Sequence, residues 1–132
     1  MKKVLLLMII FLSSLMLFSC KYTSSYKAIA LVRTQTSHSC KVSFSSLDGT
    51  LVFKLKKTDS KADGDISYSL KITSGEIKLY YDIYGTKEQL AHIKGNESID
   101  DFGGYIEGGK VVYIIIEAIK GTEGKIFVEL DN

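Results

Sequence analysis

Three aspartates close together in the sequence are the first residues that could do chemistry. They lie in the run Asp59-Ser60-Lys61-Ala62-Asp63-Gly64-Asp65, so Asp59, Asp63 and Asp65 could offer carboxylate oxygens to a calcium ion. An EF-hand loop needs an oxygen ligand at its third position and Glu at its twelfth, where this chain has Lys61 and Leu70. A calcium site of another kind is one interpretation, and a solvated turn between two strands is the one that we prefer.

Groups that could carry catalysis are few. His38 and His92 lie far apart, and neither has a cysteine or an acidic residue at metal-ligand spacing. Cys40 is close to His38, but a thiol and a histidine near each other in sequence are a weak sign of a nucleophile and its base. Two carboxylates could meet across strands as glycosidases require, yet no feature selects such a pair. We therefore expect a protein that is not an enzyme and needs no cofactor or metal.

Aromatic residues carry the most functional interest. Tyr80 and Tyr84 fall on the polar face of one alternating segment, with Asp82 between them, and Tyr113 and Phe127 fall on outer positions near the end of the chain. Exposed rings on a sheet can stack on sugar faces or anchor a protein partner. The sequence thus predicts a ligand platform that contains Tyr80, Asp82, Tyr84 and Tyr113, with ordinary cross-strand aromatic pairing as the alternative.

The elements that would position these residues are short β-strands. Apolar and polar residues alternate along residues 51–56, 66–73 and 77–84, which places one apolar face on each segment. The eleven glycines all lie between Gly49 and Gly124 and separate the apolar segments. Ser74-Gly75 predicts a tight hairpin, and the run 120–124 predicts a turn into a last strand at 126–130.

This pattern predicts an all-β domain, an antiparallel β-sandwich of jelly-roll-like form with seven or eight strands. Residues 39–132 would form the sandwich, and residues 20–38, rich in Ser and Thr, would form a tether that contains one edge strand at most. Residues 95–109, Gly-rich and acidic, would be a polar loop.

The first nineteen residues have the layout of an export signal. Lys2 and Lys3 precede a largely apolar run, Val4 to Phe18, which is shorter than the roughly 20 residues that a membrane span needs. The run ends in Leu17-Phe18-Ser19-Cys20, which resembles the lipobox of bacterial lipoproteins, although Phe18 stands where a smaller residue is usual. A plain secreted protein and an uncleaved anchor are the alternatives.

The lipobox resemblance implies a role for Cys20. It would become the first residue of the mature protein, carry a lipid and attach the chain to the bacterial cell membrane or outer membrane. Cys40 would then be a lone thiol, expected as a small buried residue because it shares a strand face with Val42 and Phe44. A disulfide between Cys20 and Cys40 remains the competing interpretation.

Charge argues against nucleic-acid binding. Removal of Lys2 and Lys3 with the signal leaves 15 basic residues against 15 acidic ones, a net charge of zero. A surface that binds phosphates needs an excess of Lys and Arg, so we expect no nucleic-acid partner.

The end of the chain has a wider resemblance. Residues 109–118 with 120–121 and 124–128 look like the closing hairpin of small jelly-roll domains in bacterial lipoproteins and, more distantly, in pre-peptidase C-terminal domains. The resemblance supports the fold more than any function. The expected function is a membrane-anchored, non-enzymatic module that contacts a protein or polymer of the cell envelope. The alternatives are a carbohydrate-binding module that uses the exposed tyrosines, and a small enzyme inhibitor that acts through residues 95–109.

Overall fold

The structure is a computed structural model that describes residues 2–4, 22–57 and 63–130. The apolar run expected to be an export signal lies outside the described residues from residue 5 onward, as do Cys20 and Asp59. Within the described ranges, no helix is long and apolar enough to cross a membrane.

The described residues form eight β-strands, all paired antiparallel. In chain order they are β1 (Ser25–Lys27), β2 (Ala30–Gln35), β3 (Ser39–Lys56), β4 (Gly64–Ser74), β5 (Glu76–Asp82), β6 (Glu88–Lys94), β7 (Glu97–Ile106) and β8 (Val111–Leu130). This confirms the all-β, antiparallel, jelly-roll-like sandwich with seven or eight strands that the alternation predicted.

The sandwich has two layers because β3 and β8 pass from one layer into the other. In the first half-sheet, residues 39–47 of β3 and 122–130 of β8 pair with each other, and β2, β4 and β7 complete the order β2-β3-β8-β4-β7. In the second half-sheet, residues 48–56 of β3 and 111–118 of β8 pair, and the order is β1-β3-β8-β5-β6. The first half-sheet and the second half-sheet therefore share two long strands.

A line of irregular backbone forms the corner between the two half-sheets. The β3–β8 register shifts between Phe44 and Gly49, where Ser46 has a positive φ of 54°, and Gly121 of β8 has a φ of 86°. Bulges and bends of this kind allow a strand to change sheets without ending. The expected turn at 120–124 is therefore wrong, since glycine punctuation in this chain marks a bend in a continuous strand rather than a reversal.

Gly75 lies at the same corner, between β4 and β5. Its φ of 90° is one that a hairpin glycine can adopt, but β4 and β5 do not pair; each lies beside β8 in its own half-sheet. A Cβ at Gly75 would lie 2.1 Å from the Oγ1 of Thr122, a fully buried side chain. That hydroxyl accepts from the amide of Glu76 at 3.0 Å and lies 2.5 Å from the carbonyl oxygen of Ile119. The segment predicted as a hairpin is thus a corner between the two half-sheets, and the hydrogen bonds of Thr122 hold it in place.

The core lies between the two half-sheets. It consists of the residues that the alternation placed on the inward faces, among them Leu51, Phe53, Leu55, Ile66, Tyr68, Leu70, Ile72, Ile77 and Leu79, together with Ile126, Val128 and Leu130. Full burial of each large apolar side chain contributes roughly 1.5–3 kcal/mol. Cys40, Val42 and Phe44 share this core as expected, and Cys40 is a free thiol.

The segment expected as a tether contributes to the sheet. The sequence predicts one edge strand at most within residues 20–38, whereas the structure has two, β1 and β2, both hydrogen-bonded to β3. Leu31 packs against the core, and Arg33 lies 4.6 Å from the ring centre of Phe53. Both strands are short and mostly exposed, so they carry little apolar periodicity that would predict them.

The segment expected as a polar loop is also a strand. Residues 97–106 form β7, which pairs with β4 at the edge of the first half-sheet. The expectation of a loop at 95–109 is wrong because an edge strand needs few apolar residues; only Ile99 and Ile106 of β7 contact the core. The protruding loop on which the inhibitor alternative depended is therefore absent from this described segment.

Candidate functional site

Three lysines meet on the outer face of the first half-sheet. Lys71 of β4 pairs directly with Lys125 of β8, and Lys41 of β3 lies on the same face one pair further along, opposite Phe127. Directly paired residues have Cβ atoms about 5 Å apart, and diagonal neighbours lie about 7 Å apart. All three lysines are exposed.

Hydroxyl groups and the ring of Phe127 lie beside these lysines, and a second ring, Phe102, lies at the β7 edge of the same face. Ser69 pairs with Phe127 and Asp100, and Ser98 pairs with Lys71, which places the hydroxyls of β4 and β7 between the charged groups. The ring of Phe127 is 39% exposed, and that of Phe102, which pairs with Ser67 at the edge, is 68% exposed. This face therefore offers flat apolar surfaces beside hydrogen-bonding groups.

The same face is concave. One depression of about 610 Å³ is lined by Lys41, Ser69, Lys71, Ser98, Asp100, Lys125 and Phe127, with Leu70, Ile99 and Ile126 beneath. A second depression of about 430 Å³ continues toward β2 and shares Lys71 and Lys125 with the first. We call the two together the lysine groove. It crosses β2, β3, β8, β4 and β7, a width of about 19 Å at the usual strand spacing.

The lysines of this groove have no ion-pair partners among the residues that the structure describes. The ion pairs there, Lys87 with Glu117 and His92 with Glu76, both lie on the second half-sheet. Asp100 and Glu123 line the groove, but neither carboxylate comes within 4.0 Å of a lysine amine. The middle of the groove is therefore positive and the carboxylates lie toward its ends.

The platform predicted from the sequence lies on the opposite outer face. Tyr80 and Tyr113 project from the second half-sheet, and Asp82 pairs directly with Tyr113. The Nζ of Lys87 lies 4.3 Å from the ring centre of Tyr80 and 2.7 Å from Glu117. A cation thus already covers one face of the Tyr80 ring.

Asp82 is buried rather than offered to a ligand. The hydroxyl of Tyr22 donates to its Oδ2, and the amide of Gly85 donates to its Oδ1 at 2.6 Å. The ring of Tyr22 also lies 5.4 Å from that of Tyr113, in a tilted arrangement. Burial and the neighbouring Asp82 carboxylate raise the pKa of Tyr22 to about 12. We call Tyr22, Asp82 and Tyr113 the tyrosine clasp.

Tyr84 lies apart from the clasp, in the loop after β5. It lines a smaller pocket of about 370 Å³ with Tyr81 and Tyr105. The hydroxyl of Tyr105 donates to Asp63 at 2.6 Å, and the amide of Gly108 donates to the same carboxylate at 3.2 Å. These donors lower the pKa of Asp63 and occupy the oxygens that the calcium hypothesis needed.

Cys40 and His92, two of the groups considered for catalysis, lie in different parts of the sandwich. Burial raises the pKa of the Cys40 thiol to about 12, which leaves it protonated in the core. His92 forms a hydrogen bond with Glu76 on the second half-sheet. In the part of the chain that the structure describes, no three His, Cys, Asp or Glu side chains are grouped so as to hold a metal ion.

The sequence predicts Phe127 as an outer residue, but it does not single out the three lysines of the groove. Lys41, Lys71 and Lys125 lie on three strands that pair only in the folded chain, so no local pattern joins them. The available signal was the polar half of each alternation: Lys71 falls between Leu70 and Ile72, and Lys125 precedes Ile126.

Comparisons with known proteins give likenesses of shape. No protein-family model matches the chain, and no curated protein matches it in sequence. A family 29 carbohydrate-binding module matches with a TM-score of 0.44 and 12% identity, over 83% of this chain and 75% of the module. A mutant family 29 module in complex with mannohexaose matches with a TM-score of 0.41 and 11% identity, over 83% of this chain and 90% of that one.

Xylanase10C from Cellvibrio japonicus, solved with xylopentaose, matches with a TM-score of 0.38 and 15% identity, over 83% of this chain and 26% of the xylanase. With TM-scores below 0.5, these likenesses carry no information about what this chain binds.

Proposed function

We propose that this protein is an exported, non-catalytic module that holds a polysaccharide chain in the lysine groove. One observation carries the proposal: the groove is an open, concave sheet face where an exposed ring, Phe127, lies among hydroxyl and ammonium donors. Sugars present flat apolar faces beside hydroxyl groups, and a ring next to polar side chains complements both.

The length of the groove favours a chain over a single sugar. The two depressions are continuous through Lys71 and Lys125, so a ligand can extend across five strands without leaving the concave face. Phe102, at the β7 edge, adds a second exposed ring beyond Ser67. Two rings separated by polar strands suit successive units of an extended ligand.

The non-catalytic part of the proposal is supported by the chemistry of the groove. Its lining has two carboxylates, Asp100 in the first depression and Glu123 in the second, so neither depression holds the pair of carboxyl groups that glycoside hydrolysis uses across the bond. Cys40 lies beneath this half-sheet in the core and is closed to solvent. Binding without bond cleavage is the function that these groups suit.

Anchoring through Cys20 is part of the same proposal, and the fold is compatible with it. Tyr22, two residues beyond Cys20, lies against the outer face of the second half-sheet, where it bonds to Asp82. Tyr22 thus lies on the side of the sandwich away from the lysine groove. Palmitate labelling that is lost in Cys20→Ser would support the anchor, and unchanged labelling would contradict it.

The function is tested with a panel of neutral and acidic polysaccharides, using affinity electrophoresis of the full chain in a non-ionic detergent. We expect Phe127→Ala to weaken binding roughly tenfold, since a stacked ring contributes about 1 kcal/mol beyond the area it buries. The matched control is Tyr80→Ala, which removes a ring from the opposite face.

The two variants also show which face of the sandwich binds the polysaccharide. Loss of binding in Phe127→Ala with full binding in Tyr80→Ala assigns the ligand to the lysine groove. Loss in Tyr80→Ala alone would move the site to the platform predicted from the sequence. Binding to none of the polymers would contradict the proposed function.

A further inference from the structure

We infer that the ligand of the lysine groove is an acidic polysaccharide, a chain whose sugars carry carboxylate or sulfate groups that Lys41, Lys71 and Lys125 bind. This inference rests on the proposed function, because it names the chemical class of the chain that the groove holds.

Lys71 and Lys125 lie directly opposite each other on neighbouring strands. Like charges directly opposite each other on neighbouring strands repel, so such a pair destabilises a sheet unless an anion lies between them. Their other cross-strand partners, Ser98 for Lys71 and Ser43 for Lys125, are neutral. The free protein therefore holds two ammonium groups side by side with no internal counter-charge at the pair.

The third lysine extends this charge along β3. Lys41 lies diagonal to Lys125 and opposite Phe127, so the exposed ring has ammonium groups on two sides. Neither Asp100 nor Glu123, the carboxylates that line the groove, forms an ion pair with these lysines. A neutral glycan would leave all three charges uncompensated, whereas acidic groups on the chain would neutralise them.

The outer face of the second half-sheet shows the alternative arrangement. There Lys87 pairs with Glu117 at 2.7 Å, and Lys78 lies directly opposite Glu117. Lys78 and Lys87 on that face thus have a carboxylate of the same chain, Glu117, beside them. This contrast indicates that an external anion would bind in the groove, where the lysines have no carboxylate to neutralise them, rather than anywhere on the surface.

The inference is tested with polygalacturonate and its fully methyl-esterified form, which share a backbone and differ in charge. With the full chain in non-ionic detergent, we expect polygalacturonate to bind at least tenfold more tightly than its ester at low salt. The advantage should shrink as salt rises, because exposed charges are screened within about 8 Å at physiological ionic strength. Dextran sulfate beside dextran tests the sulfate form of the same chemistry.

The variant that tests the lysines is Lys71→Gln with Lys125→Gln. We expect it to weaken binding of the acidic polymer roughly tenfold, since two exposed ion pairs are lost. The control, Lys54→Gln with Lys78→Gln, removes the same charge from the second half-sheet and should change binding less than twofold. Equal losses in both double variants would overturn the inference, because net charge alone would then explain the binding.

Other outcomes separate the inference from the proposed function. Equal binding of the acid and the ester, lost in Phe127→Ala but kept in the lysine variant, would overturn the acidic ligand and leave a glycan-binding groove. The same pattern with dextran and dextran sulfate would do so for sulfate. Binding to no polysaccharide at all would overturn both.

Discussion

The two outer faces of the sandwich carry similar residues, but their charged side chains differ in whether they have partners within the chain. On the second half-sheet, charged and aromatic side chains bond to each other: Tyr22 with Asp82 and Lys87 with Glu117. On the first half-sheet, Lys71 and Lys125 face each other without a carboxylate in contact. A face that satisfies its own polar groups stabilises the fold, and a face that leaves them open is suited to a ligand.

Asp82→Ala gives the largest effect that this comparison predicts. The change removes the buried acceptor of the tyrosine clasp and leaves the Gly85 amide without its carboxylate partner. We expect the free energy of unfolding to fall by about 2–3 kcal/mol, because hydrogen bonds to a buried charge are among the stronger ones. Urea denaturation followed by circular dichroism measures it.

Asp100→Ala is the matched control, since it removes a carboxylate from the lysine groove. It should change the free energy of unfolding by less than about 0.5 kcal/mol, as surface substitutions usually do. If the two variants were equally stable, Asp82 would have no special part in the fold, and the distinction between the two faces would fail.

Asp82 also shows what the sequence can and cannot predict. Alternation correctly placed Asp82 and Tyr113 on one outer face, because the side chains of a strand point to opposite sides in turn. It could not predict that Asp82 is buried, because the residue that covers it, Tyr22, is 60 positions away. Local patterns determine which face a residue lies on, but only the folded chain determines what else reaches that face.

The same limit explains the errors at the corner. Gly75 and Gly121 were read as turns, and each does have the positive φ that favours glycine. A bend that moves a strand into the second layer needs that same backbone conformation, so the glycine alone does not distinguish the two. The register of β8, which pairs with β4 on one side of the bend and with β5 on the other, is the deciding information.

The pH dependence of the clasp gives a prediction of intermediate size. The pKa of Tyr22 is raised to about 12 from its ordinary 10, so its contribution to stability is complete below pH 10 and is lost as the pH rises toward 12. Tyr22→Phe should therefore cost about 1 kcal/mol at pH 8, and the difference from the unaltered protein should shrink between pH 10 and 12. Urea midpoints across this range measure it.

Tyr26→Phe serves as the control, because Tyr26 lies on β1, exposed and outside the clasp. Its stability should follow that of the unaltered protein at every pH. A difference between Tyr22→Phe and the unaltered protein that stays constant from pH 8 to 12 would mean that the Tyr22 hydroxyl does not bond to Asp82.

The smallest predicted effect has opposite signs on the two faces. Lys71→Gln relieves the repulsion with Lys125 and should raise the free energy of unfolding by about 0.3 kcal/mol at low salt. Lys78→Gln removes the attraction to Glu117 and should lower the free energy of unfolding by a similar amount. Both differences should fade at 1 M salt, where the screening length is about 3 Å. If Lys71→Gln instead destabilised the protein as Lys78→Gln does, the groove lysines would already be paired within the chain. The first half-sheet would then satisfy its own charges as the second does, and nothing in it would call for an anionic ligand.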